Sequence, residues 1–228
     1  MLNGHTPNSF APQRQRPEST ELAVQKHPRR TRDRAGKQHA LIQAALHLFA
    51  TKGYETTTTR EIAAAAGCAE GLIHRYFTGK AGLLSALIEY HTSNELREMS
   101  RRPPSALGLE EEFLELVGWE VEHMWKSRDF LRIFIPRAIT DTSMAGVLHR
   151  AVLSLRTKAV IERLRRYRQC ATLPLDQVEA LAQSVGMLGL IFGFMRPMVL
   201  GQDRALAKKT AITLATILVR GVQYGHLA

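Results

Sequence analysis

The chain has 228 residues, 45% hydrophobic and only 7% aromatic, with 31 Lys/Arg against 21 Asp/Glu for a formal net charge of +10. That length allows one or two domains with a real core, and the abundance of helix formers without runs of β-branched alternation excludes a sheet-based fold. The two cysteines, Cys68 and Cys170, lie far apart and match no metal or redox spacing. The N-terminus has no apolar signal core. The longest apolar run, Val185 to Met195, falls short of the roughly 20 residues that cross a bilayer. An all-α protein of the cytoplasm, with no membrane contact, is the expectation.

Residues 1–35 are rich in Pro, Gln, Arg, Ser and Thr and lack apolar periodicity, so they read as a disordered basic arm. A first helix follows, carried by Leu41, Ile42, Ala45, Leu48 and Phe49 at helical spacing. Lys52 then Gly53 close it, a cation in the last turn and a residue free to take positive φ. Thr58, with Glu61 three residues on, fits a capping box that starts a second helix, whose Ile62, Ala63 and Ala66 face inward. Gly67 makes the turn. A third helix spans about Ala69 to Phe77, with Ile73 and Phe77 on its buried side. Gly79 and Lys80 open a fourth, which stops near Met99 before Arg101-Arg102-Pro103-Pro104.

Further helices are expected through Phe113, Leu116, Val117, Val121 and Met124, over about Phe130 to Ala138 with an interruption at Pro136, and over about Met144 to Gln169. An eighth runs from about Asp176 to Val199, and a ninth from about Asp203 to Gln223.

Helix, tight turn and short helix over residues 53–84 form the grammar that presents an exposed helix to a DNA major groove. Charge placement qualifies this. Residues 36–99 carry six Lys/Arg and six Asp/Glu, so the basic surplus lies elsewhere and the placement of Arg60, Arg75 and Lys80 counts for more. Arg29, Arg30, Arg32 and Arg34 end the arm, either as a solvated tail or as a contact to phosphates or a minor groove.

Residues 41–84 resemble the DNA-binding domain of the TetR family of bacterial transcriptional regulators. The matching positions are Ala45, Phe49, Gly53, Tyr54, Thr57, Glu61, Ile62, Ala63, Gly67, Gly71, Phe77, Lys80, Leu83 and Leu84. The chain departs from the family at His74, where Tyr is usual, and at Ala69, where Ser or Thr is. The resemblance implies a three-helix helix-turn-helix domain over 36–82 and a helical ligand-binding and dimerisation domain over 83–228. It implies double-stranded operator DNA as a partner, a homodimer through the eighth and ninth helices, and a small, mostly hydrophobic effector.

On that alignment Ala69, Glu70, Gly71 and Leu72 are the exposed early positions of the recognition helix. Glu70 has two readings: an acceptor for a cytosine amine, or a charge that caps its own helix. Arg60 can reach a guanine or a phosphate. Thr57, Thr58, His74, Tyr76 and Lys80 are phosphate candidates by resemblance, Tyr76 with core packing as its alternative. Arg75 faces solvent or DNA.

In the C-terminal region, Gly186, Gly189 and Gly193, then Ala205, Ala207, Ala211 and Ala215, offer small surfaces for a dimeric four-helix bundle, or for the core of one subunit. Arg150, Arg156, Lys158, Arg163, Arg165, Arg166 and Arg168 read as a solvated helix face or as a draw for an anion. Trp119, Glu120, His123, Met124, Trp125, Phe130, Phe134, Met187 and Phe192 are the ligand-pocket candidates, with ordinary core as the alternative. The expected activity is a ligand-responsive DNA-binding regulator, a repressor released by its effector. The rivals are an architectural DNA-binding protein without a sensor and an all-α enzyme. Against the enzyme, no metal-ligand spacing, glycine-rich phosphate loop or nucleophile elbow occurs, so no catalytic residue, metal or cofactor is expected.

Overall fold

A computed structural model describes residues 28–142, 146 and 154–224, and among these it contains helices and no strand. Helix α1 (Pro28–Lys52) buries Leu41, Ile42, Ala45 and Phe49. It begins earlier than expected, so residues 28–35 are helical rather than a disordered arm. Residues 1–27, and the side chains of Arg29, Arg30 and Arg32, lie outside the described part. Gly53, at φ 91°, ends α1 where a side chain would be strained.

Helix α2 (Thr59–Ala65) starts on a complete capping box: Glu61 N–H donates to the Thr58 hydroxyl (3.2 Å), and Thr58 N–H donates to the Glu61 carboxylate (2.9 Å). Lys52 Nζ donates to the same carboxylate at 2.5 Å, tying the end of α1 to the start of α2. That bond, with those of Thr58, holds Glu61 at a pKa of about 2. Gly67, at φ 62°, turns the chain into α3 (Gly71–Phe77), and α4 (Lys80–Arg101) follows.

Beyond lie α5 (Leu109–Lys126), α6 (Arg128–Thr140), α7 (Leu155–Leu164), a single turn at Arg168–Ala171, α8 (Leu175–Val199) and α9 (Arg204–Tyr224). α6 runs through Pro136 without interruption, the proline ring sitting on the exposed side. α7 stops at Leu164 rather than near Gln169, and the expected stretch from Met144 to Leu153 lies outside the described residues apart from Gly146. The reason for the stop is visible at its end. Arg163 is drawn inward, donating to Glu112 (2.7 Å) and to the Arg102 carbonyl (2.8 Å). The Tyr167 hydroxyl donates to the Ser105 carbonyl (2.8 Å). The basic run is therefore not wholly a solvated face: Arg156 and Arg163, seven residues apart, are both buried and paired with carboxylates.

Two apolar cores result. One joins α1, α2, α3 and the first half of α4 to Phe130, Leu131, Ile133 and Phe134 of α6. The other joins α5, α7, α8 and α9. Leu83, Leu84, Leu87 and Ile88 belong to the first, so packing does not divide at residue 82.

Most of the small residues of α8 and α9 are spent inside the subunit, the second of the two expected roles, rather than on a dimer surface. A side chain at Gly189 would collide with Glu120, and one at Gly193 with the Val121 carbonyl, both on α5. Ala207, Ala211 and Ala215 are fully buried, whereas Ala205 is exposed. Close approach to α5 coincides with a π-helical segment in α8, Gly189–Met195. By length and composition α8, with 25 residues, could cross a membrane, but half of its most apolar window is buried inside the protein, as in a core helix. Its bounds agree with the expected eighth helix, about Asp176 to Val199; the membrane-length window exceeds the uninterrupted apolar run Val185 to Met195 because it takes in the polar residues before that run.

Candidate functional site

The helix-turn-helix presents one exposed edge. Arg60, Ala69, Glu70, Gly71, His74 and Arg75 are all exposed, and Leu72 is half-buried. A side chain at Gly71 would meet nothing within 4 Å, so the surface there is open. Glu70 stands at the N-cap of α3 but caps nothing with its side chain. Its carboxylate accepts from the Thr59 hydroxyl at 2.6 Å, which holds the acid at the seam of α2 and α3. Glu70 thus makes no capping hydrogen bond, although its charge stands at the N-terminus of α3. Tyr76 is half-buried, with the Arg34 guanidinium 5.3 Å from its ring centroid, so the end of the basic arm folds over the helix-turn-helix.

Two expected phosphate contacts are otherwise engaged. Thr57 is buried, and its hydroxyl donates to the Gly53 carbonyl at 2.7 Å. Lys80 Nζ donates to the carbonyls of Tyr54 (3.0 Å), Glu55 (3.3 Å) and Thr57 (3.1 Å), which uses all three protons. These residues hold the loop between α1 and α2 rather than offering themselves to an anion. Thr58 is exposed but committed to its capping box.

A chamber of about 760 Å³ opens in the C-terminal half between α4, α5, α6, α7 and α8. Of the candidate residues, His123, Met124, Phe130, Phe134 and Met187 line it. Trp119, Glu120, Trp125 and Phe192 do not. Trp119 stacks on His123 (4.9 Å), Trp125 lies under the guanidinium of Arg204 (4.6 Å), Phe192 packs in the second core, and Glu120 is buried behind the wall. Lining residues outside the candidate set include Thr92, Ser127, Ile135, Ile161, Ala182 and Gly186, which carry no aromatic or charged signal. His91 and Glu95 on α4 were missed too, while Arg156 on α7, expected on a solvated face or as a draw for an anion, also lines the chamber. Only their position one and two helical turns past the last core contacts of α4, Leu87 and Ile88, could have flagged the α4 pair.

The polar end of the chamber is a buried charge cluster. Arg156 Nη1 lies 3.1 Å from Glu95, and Arg156 Nη2 contacts Glu120. Burial lowers the pKa of Arg156, and Glu95 pulls it back up. The imidazole of His123 is 3.8 Å from Glu95 and 3.8 Å from Glu98. His91 stacks on Phe130 at 4.3 Å and is pushed down to about 4, chiefly by burial and then by His123, so it is neutral; its Nε2 is buried without a hydrogen-bond partner.

The N-terminal helices thus define a DNA-binding helix-turn-helix, and the body behind them an all-α chamber. Residues 41–87 match the family described as bacterial regulatory proteins, tetR family. An uncharacterized helix-turn-helix transcriptional regulator of Bacillus subtilis, YvkB, is 46% identical over 54 residues, 24% of this chain and 29% of its own. A second from that organism, YerO, is 27% identical over 105 residues, 45% of this chain and 36% of its own. The chain thus spans about a third of the length of these two relatives. Among solved structures, a bacterial regulatory protein in the tetR family from Rhodococcus RHA1 has a TM-score of 0.62 at 22% identity, covering 80% of this chain and 96% of its own. The fatty acid degradation regulator FadR of Bacillus halodurans has a TM-score of 0.53 at 17% identity, covering 84% and 96%. At such identities these structures speak for the fold alone. Residues 41–87 thus match the N-terminal domain of the tetR family, and the all-α body behind them has the fold of these structural neighbours.

Proposed function

We propose that the chain is a homodimeric, sequence-specific DNA-binding regulator of the cytoplasm, a repressor that leaves its operator when a small, mostly hydrophobic ligand fills the chamber. The observation that carries this reading is shared architecture. α4 and α6 line the chamber through Glu95 and Phe134, and the same two helices grip the helix-turn-helix through Lys80 and Arg137. A ligand that changes the spacing of α4 and α6 therefore acts on the DNA-binding unit, and a dimer reads two half-sites only at one spacing.

The dimer forms through α8 and α9, by their large exposed apolar residues rather than by glycine and alanine. Ile191 on α8 and Leu206, Leu214 and Ile217 on α9 are all exposed, an apolar surface of the kind that marks an interface. Arg60 and Glu70 read base edges, with Gly71 and Ala69 allowing close approach. His74, Arg75 and Tyr76 hold phosphates from exposed or half-exposed positions, whereas Thr58 is engaged by Glu61.

Selection of duplexes from a random pool by the full chain tests the reading. A regulator enriches a pair of half-sites. An architectural protein enriches nothing, and that result would refute the proposal. Repeating the selection with Glu70→Ala tests the base contact: identical preferred sequences would remove it.

A further inference from the structure

We propose that the chamber is built for a lipophilic cation, an amine or quaternary onium group on an apolar body, because its buried polar end holds two carboxylates against one guanidinium. The inference rests on the ligand-responsive reading above and deepens it.

The charge inventory is taken over the described residues. Glu95 and Glu120 both contact Arg156, and the side chains of all three are about nine-tenths buried or more. The mouth adds Lys158 and Glu179, one charge of each sign, which offset each other. The buried end therefore carries one negative charge in excess. An uncompensated charge away from water is costly, and the structure offers two remedies: a proton on His123, 3.8 Å from Glu95, or a positive charge on the occupant.

An anionic occupant fits poorly. Its natural partner would be Arg156, yet that guanidinium already faces two carboxylates, and an added anion would make the excess worse. The walls suit a cation. His91, Phe130 and Phe134 form a stacked series, with centroids 4.3 and 5.2 Å apart, and aromatic faces attract cations. Met124, Leu131 and Leu190 supply apolar cover for the rest of such a molecule.

Tetraphenylphosphonium and tetraphenylborate, nearly identical in shape and opposite in charge, provide the test. Binding to the full-length protein is followed by tryptophan fluorescence, since Trp119 stacks on the chamber residue His123. The phosphonium should bind at least about tenfold more tightly, the scale expected when one partly desolvated charge faces another. Glu95→Gln should abolish that preference by leaving a neutral Arg156–Glu120 pair, and Glu95→Asp should keep it. Equal affinities, a preference for the borate, or no binding of either ion by the wild type would overturn the inference, whatever the variants do. The two readings fail separately. Borate that binds better and releases DNA overturns the charge assignment alone. Phosphonium that binds to a protein selecting no DNA sequence overturns the regulator alone.

Discussion

Replacing Lys80 with Ala asks whether this ammonium holds the loop or holds DNA. Its three protons go to the carbonyls of Tyr54, Glu55 and Thr57, and it lies 4.5 Å from the centroid of the Tyr54 ring. A hydrogen bond to a charged group contributes about 1.5–3 kcal/mol. Here three bonds share one half-buried ammonium and one of them is long, so a combined contribution of about 2–3 kcal/mol is reasonable. In a chain of this size each kcal/mol moves the melting temperature by about 2–4 °C, giving an expected drop of about 4–12 °C.

The DNA side separates the two roles. Salt dependence of binding to any duplex counts phosphate contacts, at about 0.9 of slope per contact. Well below the variant's melting temperature, Lys80→Ala should keep the wild-type slope. A variant that melts like the wild type while its slope falls by about 0.9 would refute the structural assignment.

Three further perturbations discriminate among the other assignments. Gly193→Leu drives a side chain into the Val121 carbonyl and should destabilise the subunit by about 3 kcal/mol, whereas Ile217→Asp, at an exposed position, should leave the subunit folded and yield monomers on sedimentation; a folded Ile217→Asp dimer would remove α9 from the interface. His91 is depressed to about 4 from an ordinary value of about 6.5, so below about pH 6.5 the unfolded chain takes up a proton the folded one refuses. Stability from this source is full above that pH and falls by up to about 3 kcal/mol as pH drops to about 4, and His91→Phe should flatten that stretch of the pH–stability curve. Arg137→Ala removes a 2.8 Å bond to Glu55 and a stack on Tyr54, together about 1–2 kcal/mol, so the ratio of DNA affinities with and without tetraphenylphosphonium should shrink by about fivefold or more; an unchanged ratio would exclude this route.

The helix-turn-helix was legible because each of its signals is local. The capping box at Thr58 and Glu61, the reversals at Gly53 and Gly67, and the inward Ile62, Ile73 and Phe77 all lie within one or two turns of their partners. The chamber was legible only through its bulky residues, and the cluster of Glu95, Glu120 and Arg156 was not, because its members sit on three helices. The same blindness explains the small residues of α8. Glycines at spacing four announce close approach, but only the fold tells that α5 of the same chain does the approaching. Lys80 shows a third kind of long-range dependence. A lysine at the start of α4 suits a phosphate by type, and only the loop carbonyls 23–26 residues earlier reveal that it is occupied.

Tyr54 is where the two halves of the protein meet. Its ring carries both the ammonium of Lys80, at 4.5 Å, and the guanidinium of Arg137, at 4.0 Å, and packs at a tilt on Phe49 of α1 at 4.9 Å. Lys80 opens α4 and Arg137 sits near the end of α6, so the ring is held by the two helices that also wall the chamber. From Lys80 to Glu95, α4 is a rod of roughly 22 Å at 1.5 Å per residue. Packed helices shift as units rather than stretch. A ligand that parts α4 from α6 therefore cannot leave both cations on the ring as they were. Either Arg137 releases Glu55 and Tyr54, or the loop leading into α2 follows α6 and carries the recognition helix with it. Both outcomes change the position of α3 relative to a dimer partner, and both pass through a single aromatic side chain.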